Sequence, residues 1–402
     1  MKFQLILWVS CFLVICLGIA GLWLWWRRLP PGPPLPAPPP EHLQLEPVRL
    51  VFEEPVPFCL DHPSLARQNQ AWIQHMQRAG TILRRHRVGA VIFLHGTFTG
   101  SDPLDILPSL RKHLPKLHGR WESPLQKTMR KAVDLIARDN GNFLPDYIRL
   151  FSEATGLEGA CHHFAWSSAN HHMARLRGAL QLLDYLGTLP QLAPEQRVLL
   201  IGHSHARQVF ALFTHLMTLS DLGEQLWTFA EREQLAHTES RAKARQLNAL
   251  RFDFVTLGGP VRYSWSYLPD MRVLHIVNHR GRDLRFEKHR GFWRTQSGDY
   301  IQQWGTVGSD ALANSPSERR ANRELDQLLG KGLDTRVWLK TLSRRERLGN
   351  FGRTLLVDYG DSTRLAPNFV ASVFGHGVYT RYRAMLFNTA QMCRYLYEES
   401  LF

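Results

Sequence analysis

The chain has 402 residues, of which 44% are hydrophobic, and its 49 Lys and Arg against 35 Asp and Glu give a net charge of +14. That length can bury a sizeable core, and the charge favours anionic surfaces such as phospholipid headgroups or nucleic acid. The five cysteines show no disulfide or metal spacing, and the absence of zinc-finger, RNA-binding or basic-arm patterns argues against nucleic acid as a partner.

The amino-terminal segment is almost continuously apolar. Residues 3–26 form a run long enough to span a bilayer as a helix. Three tryptophans near its end, followed by Arg27 and Arg28, are typical of a membrane interface, and the exit lacks the small residues of a signal-peptide cleavage site. We therefore expect residues 1–28 to be an uncleaved transmembrane anchor of a single-pass membrane protein. Lys2 and the amino terminus nearly balance Arg27 and Arg28, so the side of the soluble domain stays open.

A proline-rich segment follows at residues 29–44. Its composition prevents regular helix or sheet and favours a stiff polyproline spacer between the anchor and a domain covering residues 45–402. Recognition by proline-binding domains is the alternative use of such a sequence.

The pattern of the domain alternates short apolar runs with amphipathic stretches. This alternation predicts an α/β fold, with a mostly parallel central sheet flanked by helices. Two charged, helix-forming inserts interrupt it near 218–250 and 284–352. The strand candidates are 88–94, 161–166, 198–201, 252–257, 273–277 and 354–357.

One candidate strand ends in the sequence Gly202-His203-Ser204-His205-Ala206. Apolar residues then recur at helical spacing, which completes a strand–turn–helix. A serine between small residues on such a sharp turn presents its hydroxyl at the sheet edge, so Ser204 is the candidate nucleophile. A nucleophilic serine needs a base, and adjacent residues of a tight turn point away from it. We therefore interpret His203 and His205 as packing or pocket-lining residues.

His376 is the better candidate base. It follows the last predicted strand and lies between Gly375 and Gly377, which allow the loop to bend inward. The paired histidines 162–163 and 171–172 point to different faces, so no metal site is expected from them.

Three of these motifs together resemble the α/β-hydrolase superfamily, particularly its lipase- and esterase-like members. They are His95-Gly96 after an early strand, the serine motif after a middle strand, and the late His376; the segment 164–170 with Arg175 looks like a stretch that some of these hydrolases carry. The resemblance covers residues 85 to 390. It implies an α/β-hydrolase fold and cleavage of carboxylic esters, including acyl lipids, through an acyl-enzyme without metal or organic cofactor.

The resemblance also implies an acid after the strand preceding the last one. Asp283 lies six residues beyond 273–277 and is the preferred candidate, with Asp310 as its rival; Asp358 and Asp361 would need a shifted position.

An oxyanion hole needs backbone N–H donors. The N–H of His205, directly after the nucleophile, is one candidate, and that of Thr97 or Phe98 after His95-Gly96 is the other.

The second insert holds much of the excess charge. Residues 279–353 carry 16 Lys and Arg against 9 Asp and Glu. One insert is hypothesised to form a lid, and the basic one to face headgroups or an acidic substrate; a solvated helical decoration is the alternative. For the whole chain, thioester or amide hydrolysis and an inactive membrane-tethered binding module stay open, as does the oligomeric state.

Overall fold

The computed structural model describes residues 48–51, 62–96, 102, 139, 141–189, 192–218, 220–236, 239–279, 298–307, 313, 315–329, 351–359 and 374–401. The predicted anchor at 1–28, the predicted linker at 29–44 and the candidates Thr97, Asp283 and Asp310 lie outside these ranges. In the part of the chain that the structure describes, no helix has the length and apolarity needed to cross a membrane.

Seven strands form one sheet in which every neighbouring pair is parallel. The order across the sheet is β1-β7-β6-β5-β4-β2-β3. The strands are β1 (Val48–Val51), β2 (Val88–Leu94), β3 (Cys161–Phe164), β4 (Arg197–His203), β5 (Arg251–Leu257), β6 (Arg272–Asn278) and β7 (Arg353–Asp358).

Helices cover both faces of the sheet. The described helices are α1 (Pro63–Gln68), α2 (Gln70–Arg85), α3 (Pro145–Thr155), α4 (His172–Leu186), α5 (Ala206–Met217), α6 (Asp221–Arg232), α7 (Ser240–Leu247), α8 (Tyr300–Val307), α9 (Pro316–Leu328) and α10 (Met385–Tyr397). Helices α2, α3 and α10 pack on one face, and α4, α5, α6, α7 and α9 on the other. The predicted α/β fold with a parallel central sheet is therefore confirmed.

Burial on both faces explains why the strands read as apolar runs. Along β2, Val91 and Phe93 join the core under α2 and α3, whereas Ala90 and Ile92 join the core under α4 and α5. Successive side chains of a strand point to opposite faces, so a strand covered on both sides must be apolar at nearly every position.

The chain reverses its direction of travel across the sheet between β2 and β4. It moves outward from β2 to β3, returns to β4 on the other side of β2, and continues through β5, β6 and β7. Such a reversal leaves a crevice outside the carboxyl ends of the two central strands, where ligands bind in open α/β sheets. The His95-Gly96 motif at the end of β2 and the serine motif at the end of β4 both lie at this crevice.

The first insert, 218–250, is part of the helical layer. Its helix α6 buries Trp227 against the core formed by α4 and α5, and the Trp227 indole N–H donates to Leu216 O at 2.9 Å. Of the second insert, the structure describes α8, α9 and their immediate flanks.

Candidate functional site

The turn after β4 holds Ser204 in an unusual backbone conformation. Its φ is 56°, in the left-handed region that non-glycine residues seldom adopt, and only 3% of the residue is exposed. Its backbone N–H donates to Leu257 O at 2.9 Å, which ties the turn to the end of β5. A Cβ at Gly202 would lie 2.7 Å from the Cβ of Ala206, so the turn requires the small residues that the sequence provides. The predicted strand–turn–helix around Ser204 is confirmed.

The end of β2 lies directly against this serine. A Cβ at Gly96 would lie 2.6 Å from the Cβ of Ser204. The Trp166 indole N–H donates to His95 O at 3.0 Å, which fixes the backbone before Gly96. Trp166, from the segment 164–170, thus holds the His95-Gly96 turn in place. Thr97, the residue after Gly96, lies outside the described residues.

His376 is buried and makes one charged contact. Its Nδ1 lies 2.8 Å from Oδ2 of Asp299, which is fully buried. Its Nε2 is buried and has no hydrogen-bond partner. One ring nitrogen is therefore held by a carboxylate, and the other is left to act as a proton acceptor.

Further hydrogen bonds fix the carboxylate of Asp299. Its Oδ1 accepts from the backbone N–H of Gln302 at 2.8 Å, and its Oδ2 also accepts from the Tyr379 hydroxyl at 2.7 Å. That hydroxyl accepts in turn from the backbone N–H of Asn278 at 2.7 Å. Burial, and then the nearby Asp299 carboxylate, raise the pKa of Tyr379 well above its ordinary value, so the phenol stays a donor.

Two glycines let the loops that carry Asp299 and His376 touch. Gly375 has a φ of 77°, and a Cβ there would lie 2.1 Å from the backbone O of Gly298. Asn278, the last residue of β6, holds both loops: its O accepts from the Asp299 N–H at 2.9 Å and its Nδ2 donates to Gly375 O at 2.9 Å. The pair is thus assembled at the carboxyl end of the sheet.

Asp299 was not named from the sequence. The preferred candidate Asp283 and its rival Asp310 lie outside the described residues, so the structure does not place them relative to His376. Asp299 lies between β6 and β7, in the interval that the resemblance implied, but 21 residues beyond the end of β6. The available signal was its position directly before α8, where an aspartate caps a helix, and after Gly298.

His203 contacts His376. Its Nε2–H donates to His376 O at 2.9 Å, and the two ring centroids lie 4.4 Å apart. Burial, and then the proximity of His376, lower the pKa of His203 well below its ordinary value, so it is neutral at pH 7. His205 is buried and is the N-cap residue of α5.

A second histidine–aspartate pair lies elsewhere in the fold. Nε2 of His172 lies 2.6 Å from Oδ1 of Asp326 on α9, and its Nδ1 lies 2.5 Å from the Tyr263 hydroxyl. Arg175 donates to the same hydroxyl at 3.0 Å. This network joins α4, α9 and the segment after β5.

Within the ranges described above, no three His, Cys, Asp or Glu side chains group as metal ligands. No protein-family model, curated protein or solved structure matches this chain.

Proposed function

We propose that this chain is a serine hydrolase that cleaves carboxylic esters through an acyl-enzyme. Ser204 is the nucleophile, His376 the general base and Asp299 the carboxylate that orients it. The observation that carries the proposal is His376, which is bound to buried Asp299 through Nδ1 and has an unpartnered, buried Nε2.

The contact with Asp299 decides which nitrogen is basic. Because Nδ1–H donates to the carboxylate, the neutral imidazole has its lone pair on Nε2. Nε2 takes the proton of the Ser204 hydroxyl while Oγ attacks the ester carbonyl, and Asp299 stabilises the imidazolium that forms. The imidazolium then gives that proton to the departing alkoxide, leaving an acyl-serine and an alcohol.

The second half of the reaction repeats these roles with water. Nε2 removes a proton from water, the hydroxide attacks the acyl-serine, and the proton returns to Oγ as the carboxylic acid leaves. Both tetrahedral intermediates carry an oxyanion, for which the backbone N–H of His205 is the proposed donor, with Thr97 as the proposed second. No step requires a metal or organic cofactor.

The strand topology supports an α/β-hydrolase fold. The serine follows a central strand at the reversal of the sheet, the acid comes before the last strand and the histidine after it, in the chain order of that fold. We further propose that residues 1–28 anchor the enzyme in a membrane, where an acyl lipid would be an accessible ester.

Labelling with a fluorophosphonate probe tests the proposal, because the probe reacts only with an activated serine. The expected result is one labelled site, the peptide containing Ser204, and loss of labelling in Ser204→Ala. Ser317→Ala is the matched control, since Ser317 is exposed at the start of α9 and should leave labelling unchanged. 4-Nitrophenyl esters of increasing acyl length then measure turnover and chain preference.

Two outcomes would overturn the proposal. One is a probe that labels the wild type and Ser204→Ala alike. The other is a folded wild type that neither reacts with the probe nor hydrolyses any ester of the series, which would favour a binding module.

A further inference from the structure

Arg207 lies three residues after the candidate nucleophile, in the first turn of α5. Its backbone N–H donates to Ser204 O at 3.1 Å, so the two residues belong to one turn. Only 3% of Arg207 is exposed. Its Nε and Nη1 are buried, and neither has a hydrogen-bond partner.

The loop after β5 makes room for this side chain. A Cβ at Gly259 would lie 2.6 Å from Cβ and 2.7 Å from Cδ of Arg207. The absence of a side chain at position 259 therefore lets the Arg207 stem lie against the loop backbone. Gly258, the preceding residue, borders Asp299: a Cβ there would lie 2.6 Å from Oδ2 of that carboxylate. The stem of Arg207 thus lies against the same loop that borders the carboxylate of Asp299.

Arg207 keeps its positive charge at neutral pH. Burial lowers its pKa to about 9, and no carboxylate among the described residues acts against that shift. The titratable group that Arg207 affects is His275 on β6, whose pKa is lowered well below its ordinary value by burial and then by the Arg207 charge. His275 is therefore neutral and supplies no counter-charge.

The two other buried arginines among the described residues have side-chain partners. Arg175 donates to Tyr263 and to Asn170 Oδ1, and Arg197 forms an ion pair with Asp253 at 2.8 Å. A buried cation without a partner is strongly destabilising, whereas one that meets an anion is not. Among the described residues Arg207 thus has no anionic partner, which leaves its guanidinium available to an external anion.

We propose that Arg207 binds an anionic group of the ester substrate, a carboxylate or a phosphate. This inference rests on the proposed hydrolase function and narrows its substrate class to negatively charged esters. A buried guanidinium presents several N–H donors that fit the oxygens of either anion. The net charge of +14 agrees with this class, because it draws anions toward the protein.

Matched esters test the inference. Mono-(4-nitrophenyl) adipate and 4-nitrophenyl hexanoate share a leaving group and a six-carbon acyl chain, and differ in the terminal carboxylate. The wild type should favour the anionic ester in kcat/KM by about ten- to a hundredfold, the range expected of hydrogen bonds to a charged group. Lysophosphatidic acid and the corresponding monoacylglycerol form the pair for phosphate, and comparison of the two pairs tells which anion is bound.

Variants assign the preference to this residue. Arg207→Met removes the charge at similar length and should bring the ratio close to one, whereas Arg207→Lys should keep part of it. Arg245→Met is the matched control, since Arg245 is exposed in the last turn of α7, and its ratio should equal that of the wild type.

Binding of the anion alone separates this inference from the proposed function. Adipate and inorganic phosphate should raise the unfolding temperature of the wild type, and not of Arg207→Met, whether or not the protein hydrolyses esters. If Ser204 is labelled but neither ester pair is distinguished and neither anion raises the unfolding temperature, this inference is wrong and the hydrolase proposal stands. If labelling fails while an anion still stabilises the wild type through Arg207, the hydrolase proposal is wrong, and Arg207 binds an anion that is not an ester substrate.

Discussion

Two histidine–aspartate pairs among the described residues have nearly equal nitrogen–oxygen distances. His376 and Asp299 are 2.8 Å apart, and His172 and Asp326 are 2.6 Å apart. They differ in the second ring nitrogen: His172 uses it to contact the Tyr263 hydroxyl, whereas that of His376 has no partner. They also differ in burial, because Asp326 is 39% exposed and Asp299 is not exposed at all. A short contact to a carboxylate thus describes both pairs, and two features distinguish the proposed base from the second histidine: the burial of its aspartate and its unpartnered ring nitrogen.

Removal of the two histidines should separate the pairs most strongly. In His376→Ala, kcat for a 4-nitrophenyl ester should fall by about 10⁴-fold or more, because Ser204 loses its proton acceptor. In His172→Ala, Ser204 should still be labelled by the fluorophosphonate, while the unfolding temperature falls, because the network joining α4 to α9 is lost. Comparable loss of activity in the two folded variants would refute the distinction.

Amide substitution of the two aspartates should give the next largest contrast. Asp299→Asn should lower kcat by about 10³- to 10⁴-fold, because the amide can donate to Nδ1 and so favours the tautomer with the proton on Nε2. Asp326→Asn, which changes the partly exposed acid, should leave kcat unchanged. Steady-state kinetics with circular dichroism as a folding control measures both, and full activity in Asp299→Asn would point to another acid, such as Asp283.

Variants of His203 test whether turnover depends on the position of the proposed base, His376. His203→Leu removes the N–H that holds His376 O and should lower kcat by about ten- to a hundredfold with little change in KM, because a small displacement of a catalytic group has effects of this size. His203→Gln places an amide N–H near the same oxygen and should recover most of that loss. If His203→Leu and His203→Gln lower kcat equally, the hydrogen bond from His203 is not what positions His376.

The smallest expected effect is on stability at acidic pH. Because burial depresses the pKa of His203 in the folded protein, the unfolded chain binds a proton that the folded one does not as the pH falls below about 6.5. Stability should therefore decrease below that pH, by up to about 1.4 kcal/mol per pH unit for this group, and His203→Gln should reduce the slope. Urea unfolding at pH 7.5 and 5.5 measures it, and equal slopes in variant and wild type would contradict the assignment. The comparison separates His203, held by a carbonyl, from His376 and His172, each held by an aspartate.

Local sequence patterns predict much of this structure. The mostly apolar runs at 88–94 and 252–257 predict strands, because a strand that is buried on both faces needs apolar side chains at most consecutive positions. The turn at Ser204 is predictable for the same reason, since its small neighbours and the following helix are all local. The position of His376 after the last strand also follows from chain order.

Local sequence patterns do not predict the proposed acid, Asp299. The chain leaves β6 and returns to it 21 residues later, so nearness along the sequence to the strand end does not indicate Asp299. What brings Asp299 to His376 is the contact between Gly298 and Gly375, two residues far apart in the chain. Likewise, the pairing of β1 with β7 at the edge of the sheet depends on the whole fold rather than on the four residues of β1.

The carboxyl-terminal helix links the two ends of the described domain. Tyr397 of α10 stacks on His86 after α2 with ring centroids 4.8 Å apart, and Glu399 forms an ion pair with Arg85 at 2.6 Å. His376 lies only nine residues before α10, whereas Ser204 lies near the middle of the chain. During synthesis Ser204 therefore leaves the ribosome long before His376, and the proposed triad can assemble only after both residues have emerged. A chain that stops before residue 376 would contain the proposed nucleophile without the proposed base, so any activity that depends on both would begin only after His376 has been added.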